Sequence, residues 1–106
     1  MKKAVRMLLP VMAFAMVTST WSLAETGADT FKGKCAMCHG ADGKGETAMG
    51  KHFGLRDLGS ADVQKQSDAE LTTIITKGKE KMPEYGTKLS KEQIDGVVKF
   101  IRTLKK

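Results

Sequence analysis

Aromatic residues are scarce in this chain: one tryptophan, one tyrosine and four phenylalanines in 106 residues. Only two prolines and two cysteines are present. Each scarcity excludes something. Two cysteines three positions apart cannot build the disulfide framework that holds small exported domains together, and a Cys35–Cys38 bridge would close too small a loop to constrain the unfolded chain much. Apolar–polar alternation with period two is almost missing, which removes the βαβ setting of a thioredoxin-like thiol pair. Long apolar runs are also missing. Met7 to Val17 is apolar, and even counted from Ala4 the run is 14 residues, short of the roughly 20 that span a bilayer. No catalytic triad, carboxylate pair, internal repeat or low-complexity tract is visible. The glycines between Gly40 and Gly45 lack the preceding strand and following helix of a phosphate-binding loop.

What the first residues do contain is an export signal. Lys2, Lys3 and Arg6 form a positive start, the apolar run follows, and Ser22-Leu23-Ala24 supplies small residues where a signal peptidase reads. The reading is a cleavable leader over residues 1–24, cut after Ala24, and a periplasmic mature domain over residues 25–106. The formal net charge of +6 comes from 18 Lys and Arg against 12 Asp and Glu. Three of those cations lie in the leader, so the mature chain carries 15 − 12 = +3. Trp21 leaves with the leader as well. A nucleic-acid partner is therefore not expected.

The chemistry is concentrated in Cys35-Ala36-Met37-Cys38-His39, the C-x-x-C-H pattern of c-type haem attachment. Two thiols about one helical turn apart can each form a thioether with one haem vinyl group, and the following imidazole can bind the iron. Zinc is a competitor through Cys35, Cys38 and His52, but that set gives only three good ligands. His39 projects away from such a site. Haem c, held by Cys35 and Cys38 and ligated by His39, is the cofactor this stretch predicts. A mature chain of 82 residues sits near the lower limit for a self-sufficient core, and a covalently held apolar macrocycle would fill its centre.

The rest of the pattern is helical, and the expected fold class is all-α. A first helix is predicted from Gly27 to Cys38, with Thr26 as its N-cap. Residues 40–66 read as loop, with one short helical turn from Ser60. Ser67-Asp68-Ala69-Glu70 is a capping box that opens a second helix, carrying Leu71, Ile74 and Ile75 and stopping at Gly78. Lys79 to Leu89 is a second loop. Ser90-Lys91-Glu92-Gln93 is another capping box, opening the best helix of the chain, with Ile94, Val97, Val98, Ile101 and Leu104 on one stripe.

Haem iron has two axial positions. Outside the leader, Met37, Met49, Met82, His52 and several lysines are available for the second. Met37 lies inside the attachment motif and cannot reach the opposite face. Met82 is favoured, because Pro83 fixes the chain direction behind it and charged neighbours (Lys79, Glu80, Lys81, Glu84) argue against a filler role. His52 and an open position remain as alternatives, and Met49 is expected to pack.

Taken together, Cys35-Ala36-Met37-Cys38-His39-Gly40, Asp42-Gly43-Lys44-Gly45 and Met82-Pro83 resemble a small bacterial class I cytochrome c, similar to the c6 and c5 types. The resemblance spans essentially the whole chain after the leader. It implies axial ligation by His39 and Met82. It also implies crossing first and last helices, with Gly27 and Phe31 against Val97 and Phe100. The chain departs from that family in lacking a proline in Gly54-Leu55-Arg56-Asp57-Leu58, so another backbone carbonyl has to accept from His39 Nδ1. Tyr85, Lys51 and Arg56 are the candidates to hold a propionate in place of a tryptophan. The function implied is one-electron transfer between periplasmic redox proteins, with no enzymatic activity of its own. The alternatives are a haem enzyme or gas sensor with an open sixth site, and an accessory haem subunit of one respiratory complex. Lys77, Lys79, Lys81 and Lys88, flanking Met82, are the expected docking cations.

Overall fold

A computed structural model of the chain describes residues 26–106; the leader expected over residues 1–24 lies outside the described residues. Helices start where the sequence offers caps. Thr26 accepts from the Asp29 N–H while the Asp29 carboxylate accepts from the Thr26 N–H, and this box opens α1, Gly27–Lys34. Cys35 interrupts the ladder in a helical but distorted conformation (φ −113°, ψ −29°), and the short α2, Ala36–His39, continues from it. The expected single helix from Gly27 to Cys38 is thus two pieces broken at the first cysteine.

A six-residue helix, α3 (Ala48–Phe53), occupies part of the stretch read as loop. Its cap, Thr47, accepts from the Gly50 N–H and donates its hydroxyl proton to the Cys38 carbonyl at 2.6 Å. One side chain therefore starts α3 and ties it to the attachment motif. Gly50 is buried beneath it, where a Cβ would strike the Cys38 and Gly45 carbonyl oxygens. The helical turn expected from Ser60 is α4, Ala61–Gln64.

Both predicted capping boxes form. Ser67 and Glu70 open α5, Asp68–Lys77, and Ser90 and Gln93 open α6, Lys91–Thr103. Gly78 ends α5 at φ +77°, ψ 171°, a backbone region open essentially to glycine alone. Among the described residues there is no strand, only one isolated antiparallel bridge between Lys79 and Met82.

The core forms where α6 meets α1 and α5. The α6 stripe Ile94, Val97, Val98 and Ile101 is buried, together with Phe31 of α1, Leu71 and Ile75 of α5, Val63 of α4 and Leu89. Phe31 and Phe100 face each other with ring centroids 4.8 Å apart, and Phe31 and Val97 are each 1% exposed. The crossing expected of Gly27, Phe31, Val97 and Phe100 is present. The partner of Gly27 is a residue the sequence reading did not single out, Gly96, whose carbonyl lies where a Gly27 side chain would be. Among the described residues, three longer helices, three short ones and their loops surround a central gap. No helix among the described residues is long and apolar enough to cross a membrane.

Candidate functional site

That gap is a cavity of about 220 Å³. Natural interiors hold few voids larger than a water molecule, and an engineered apolar cavity of about 150 Å³ accepts benzene. The wall is apolar over most of its extent, with Phe31, Leu58, Val63, Leu71, Ile75 and Val97 contributing. Cys35, His39 and Met82 lie in the same wall. A smaller adjoining pocket of about 50 Å³ adds Cys38 and again has Cys35, His39 and Met82 in its lining, with Pro83 and Tyr85. All four expected site residues thus line the smaller pocket, and three of them the larger cavity as well, although His39 and Met82 are far apart in the chain.

Each of these residues is positioned by a local device. Cys35 is buried as the junction of α1 and α2, and its carbonyl accepts from both the Cys38 and His39 N–H groups. Burial, reinforced by the neighbouring Cys38, pushes the Cys35 thiol up to about 11. It therefore stays protonated at neutral pH and is a poor metal-binding or redox-exchange thiolate. The two cysteines form no disulfide. Burial also lowers the pKa of His39, keeping its imidazole neutral with a lone pair available to a metal. Its Nδ1 is buried with no hydrogen-bond partner, so the backbone carbonyl expected to accept from it is not in place. Buried polar atoms are almost always paired. His39 thus lines a mostly apolar cavity with its Nδ1 unpaired, and the ring nitrogen that would meet a metal there is the other one, Nε2.

Met82 is half-buried and packs on the core. It closes a tight turn in which the Met82 N–H donates to the Lys79 carbonyl at 2.9 Å and the Lys79 N–H to the Met82 carbonyl at 3.1 Å. Glu80, the second residue of that turn, has φ +55°, the only positive value at a non-glycine among the described residues. The rival ligands are elsewhere. His52 is exposed with its ring against Phe53, Met37 is 80% exposed, and Met49, expected to pack, is 42% exposed. The zinc alternative also loses its basis, since no cluster of three or more His, Cys, Asp or Glu among the described residues could hold a metal.

Of the candidates for a propionate, Arg56 lines the cavity and Lys51 does not. Tyr85 has its hydroxyl engaged, donating to the Lys34 carbonyl at 3.2 Å. Gln66 also lines the cavity and was not anticipated. The residue lies in the short link between α4 and α5, with no periodicity to mark it. Arg56, Lys79 and Lys81 put three cations at the cavity rim, against the single carboxylate of Glu80.

Known proteins are similar to this chain in sequence and fold. Residues 22–101 match the family model described as cytochrome C oxidase, cbb3-type, subunit III. A cytochrome c6 of Bryopsis maxima is 38% identical over 82 residues, covering 73% of this chain and 86% of the relative. The cytochrome c subunit of a quinone alcohol dehydrogenase from Gluconacetobacter polyoxogenes is 32% identical over 99 residues, covering 83% of this chain but 20% of that larger protein. Among solved structures, the KustC0563 c-type cytochrome superposes with a TM-score of 0.71 at 31% identity, covering 76% of this chain and 99% of its own. The chain belongs to the small class I c-type cytochromes, and its cofactor is covalently bound haem c with its iron.

Proposed function

We propose that this chain is a periplasmic carrier of single electrons, with Cys35 and Cys38 as thioether anchors and His39 and Met82 as the axial ligands of its haem. The observation that supports this most is the sharing of one apolar cavity by Cys35, His39 and Met82. When bound, haem c supplies the one-electron iron couple, and a thioether ligand favours the reduced state relative to a second imidazole. The chain's own contribution is to hold and to exclude. The neutral His39 imidazole offers a nitrogen fixed by the α2 backbone, and Met82 offers a soft sulfur from a turn closed on itself. The apolar wall keeps water from the space between them. With both ligands supplied by the protein, small molecules have no open position, which argues against the enzyme and sensor readings.

Export fits the leader read over residues 1–24, leaving residues 25–106 as the working domain. Lys77, Lys79, Lys81 and Lys88 are all exposed, and Lys79 and Lys81 stand at the cavity rim, suited to an acidic redox partner. Similarity to a dehydrogenase cytochrome subunit favours a second reading, in which the same domain serves one enzyme complex.

Spectra of the exported holoprotein test the ligand reading. Ferric protein at neutral pH is expected to show the near-infrared sulfur-to-iron band, and ferrous protein to resist carbon monoxide. Met82→Ala should abolish the band and admit carbon monoxide, while His52→Gln and Met49→Leu leave both unchanged. Rapid carbon monoxide binding by the wild type would falsify the closed site. Recovery of the holoprotein as a free monomer after mild extraction separates the carrier from the complex subunit.

A further inference from the structure

We propose that Tyr85 is a positioning residue for the sixth ligand: its hydroxyl ties the Met82 loop to the attachment helix and so sets how firmly Met82 closes the site. The inference rests on the His39–Met82 reading and adds to it a residue outside the ligand set.

Loop 79–89 is held in an uneven way. Among the described residues, the Lys79–Met82 turn is hydrogen-bonded only to itself, and Pro83, directly behind Met82, has no N–H to give. Downstream, the Tyr85 N–H donates to the Ile75 carbonyl and the Gly86 N–H to the Thr76 carbonyl, both at 3.0 Å. These bonds join the loop to the end of α5. Neither reaches the opposite wall, where Cys35, Cys38 and His39 lie. Among the described residues, the one hydrogen bond between loop 79–89 and residues 27–40 is from Tyr85 Oη to the Lys34 carbonyl, 3.2 Å. It starts three residues after Met82 and ends one residue before Cys35.

The ring is placed for this task. Tyr85 is half-buried against the core and lines the smaller pocket with Cys35, Cys38 and Met82, while Lys88 Nζ stands 5.5 Å from its ring centroid on the exposed side. Phenylalanine would keep this packing and lose only the strut. Because the rest of the turn is internally bonded, the Met82 segment can then swing out as a unit without breaking other bonds to α1 or α2. A bond of this kind contributes roughly a factor of five to an equilibrium, so the open, Met82-off population should rise by about that factor.

The test uses ferric holoprotein and imidazole as an external ligand whose entry requires Met82 to leave. In Tyr85→Phe, imidazole binding limited by Met82 departure should be about fivefold faster, with the near-infrared band retained at neutral pH. The midpoint of helix loss in denaturant should move much less than the midpoint of band loss. Asp57→Asn, which loosens the tie to Lys106, should lower the helix midpoint and leave imidazole entry unchanged. Entry rates for Tyr85→Phe within twofold of wild type would overturn the proposal, as would equal shifts of the two midpoints. A wild type without the near-infrared band would overturn it together with the ligand reading beneath it.

Discussion

Gly27 lies directly against the carbonyl of Gly96 where α1 crosses α6, leaving no room for a side chain at position 27. The obstruction is backbone, which cannot rotate away. From the other side the fit is looser, since a Cβ at Gly96 would stand 3.2 Å from the Gly27 Cα. Gly33, in the same helix as Gly27, has nothing within 4 Å of its virtual Cβ. The three glycines should respond differently to alanine. Gly27→Ala should cost about 1–3 kcal/mol by forcing the helices apart. Gly96→Ala should cost less. Gly33→Ala should stabilise by about 0.5–1 kcal/mol through helix propensity alone. Denaturant unfolding of the three holoproteins gives the order directly, and equal effects at positions 27 and 33 would show that the crossing is not so close.

What was legible before the structure follows the same division between local and distant causes. Thr26, Ser67 and Ser90 each bond within their own first turn, so those helix starts could be read from four consecutive residues. The α6 stripe was legible because one face of a helix repeats its burial every turn. The α3 helix was not, because it is six residues long and its cap, Thr47, gains its second bond from Cys38, nine residues away. Gly96, Gln66 and the bond from Tyr85 to Lys34 were hidden for the same reason: nothing in their own neighbourhood marks them. The C-x-x-C-H motif was visible because haem attachment imposes spacing and residue type, and Met82-Pro83, the proposed ligand segment, because a methionine before a proline stands among charged neighbours. The break at Cys35 and the unpartnered Nδ1 of His39 needed coordinates.

The backbone leading into Met82 makes a second prediction. Gly78 has φ +77°, and a Cβ there would lie 2.6 Å from the Met82 carbonyl oxygen and 3.0 Å from backbone atoms of Pro83 and Glu84. Gly78→Ala should therefore cost about 1–3 kcal/mol in backbone strain and push the segment that carries Met82, the proposed ligand, outward. The near-infrared band should weaken or vanish in this variant while the helices remain. Glu80 is the converse case, a side chain held at φ +55°. Glu80→Gly removes a left-handed penalty of about 1–2 kcal/mol and adds about 0.5–1 kcal/mol of unfolded-state freedom. A small net gain in stability is expected, and a loss would mean that the Glu80 side chain makes a favourable contact that offsets its backbone.

The C-terminus should make stability depend on pH. Lys106 pairs with Asp57, and its N–H donates to the Gly59 carbonyl, while Asp57 also accepts from the Gly59 N–H at 2.8 Å. Hydrogen bonding to Lys106, and then to Gly59, holds the Asp57 carboxyl below its usual 3.8. A carboxylate with a depressed folded pKa contributes stability above its unfolded value, and that contribution is lost as pH falls through the folded one. Lys106 is raised by the same bond, so its share persists below 10.5 and fades as pH rises beyond it. Asp57→Asn should therefore be less stable than wild type at pH 7, and the difference should shrink as pH falls below 3.8 and through the lower folded pKa. A constant difference in denaturant midpoint from pH 7 to pH 3 would remove the charge from the explanation.

The lysines around Met82 are the remaining test, and here rates are more informative than affinities. Lys77, Lys79, Lys81 and Lys88 are exposed and form none of the salt bridges found among the described residues, so no carboxylate neutralises them, although Lys88 also stands over the Tyr85 ring. Exposed charges separated by more than about 8 Å are largely screened at physiological salt. If these four steer an acidic partner, the bimolecular electron-transfer rate should fall steeply as ionic strength rises. Lys79 and Lys81 stand at the cavity rim, nearest the proposed ligand. Lys105 and Lys106 close the other end of the sequence, and Lys106 is already paired with Asp57. Charge reversal at Lys79 and Lys81 should slow association about tenfold or more at low salt, within the 10–1000-fold range that steering provides, and leave the near-infrared band intact. Reversal at Lys105 and Lys106 changes the net charge by the same amount. An equal slowing there would mean that the partner responds to overall charge rather than to a face built around Met82.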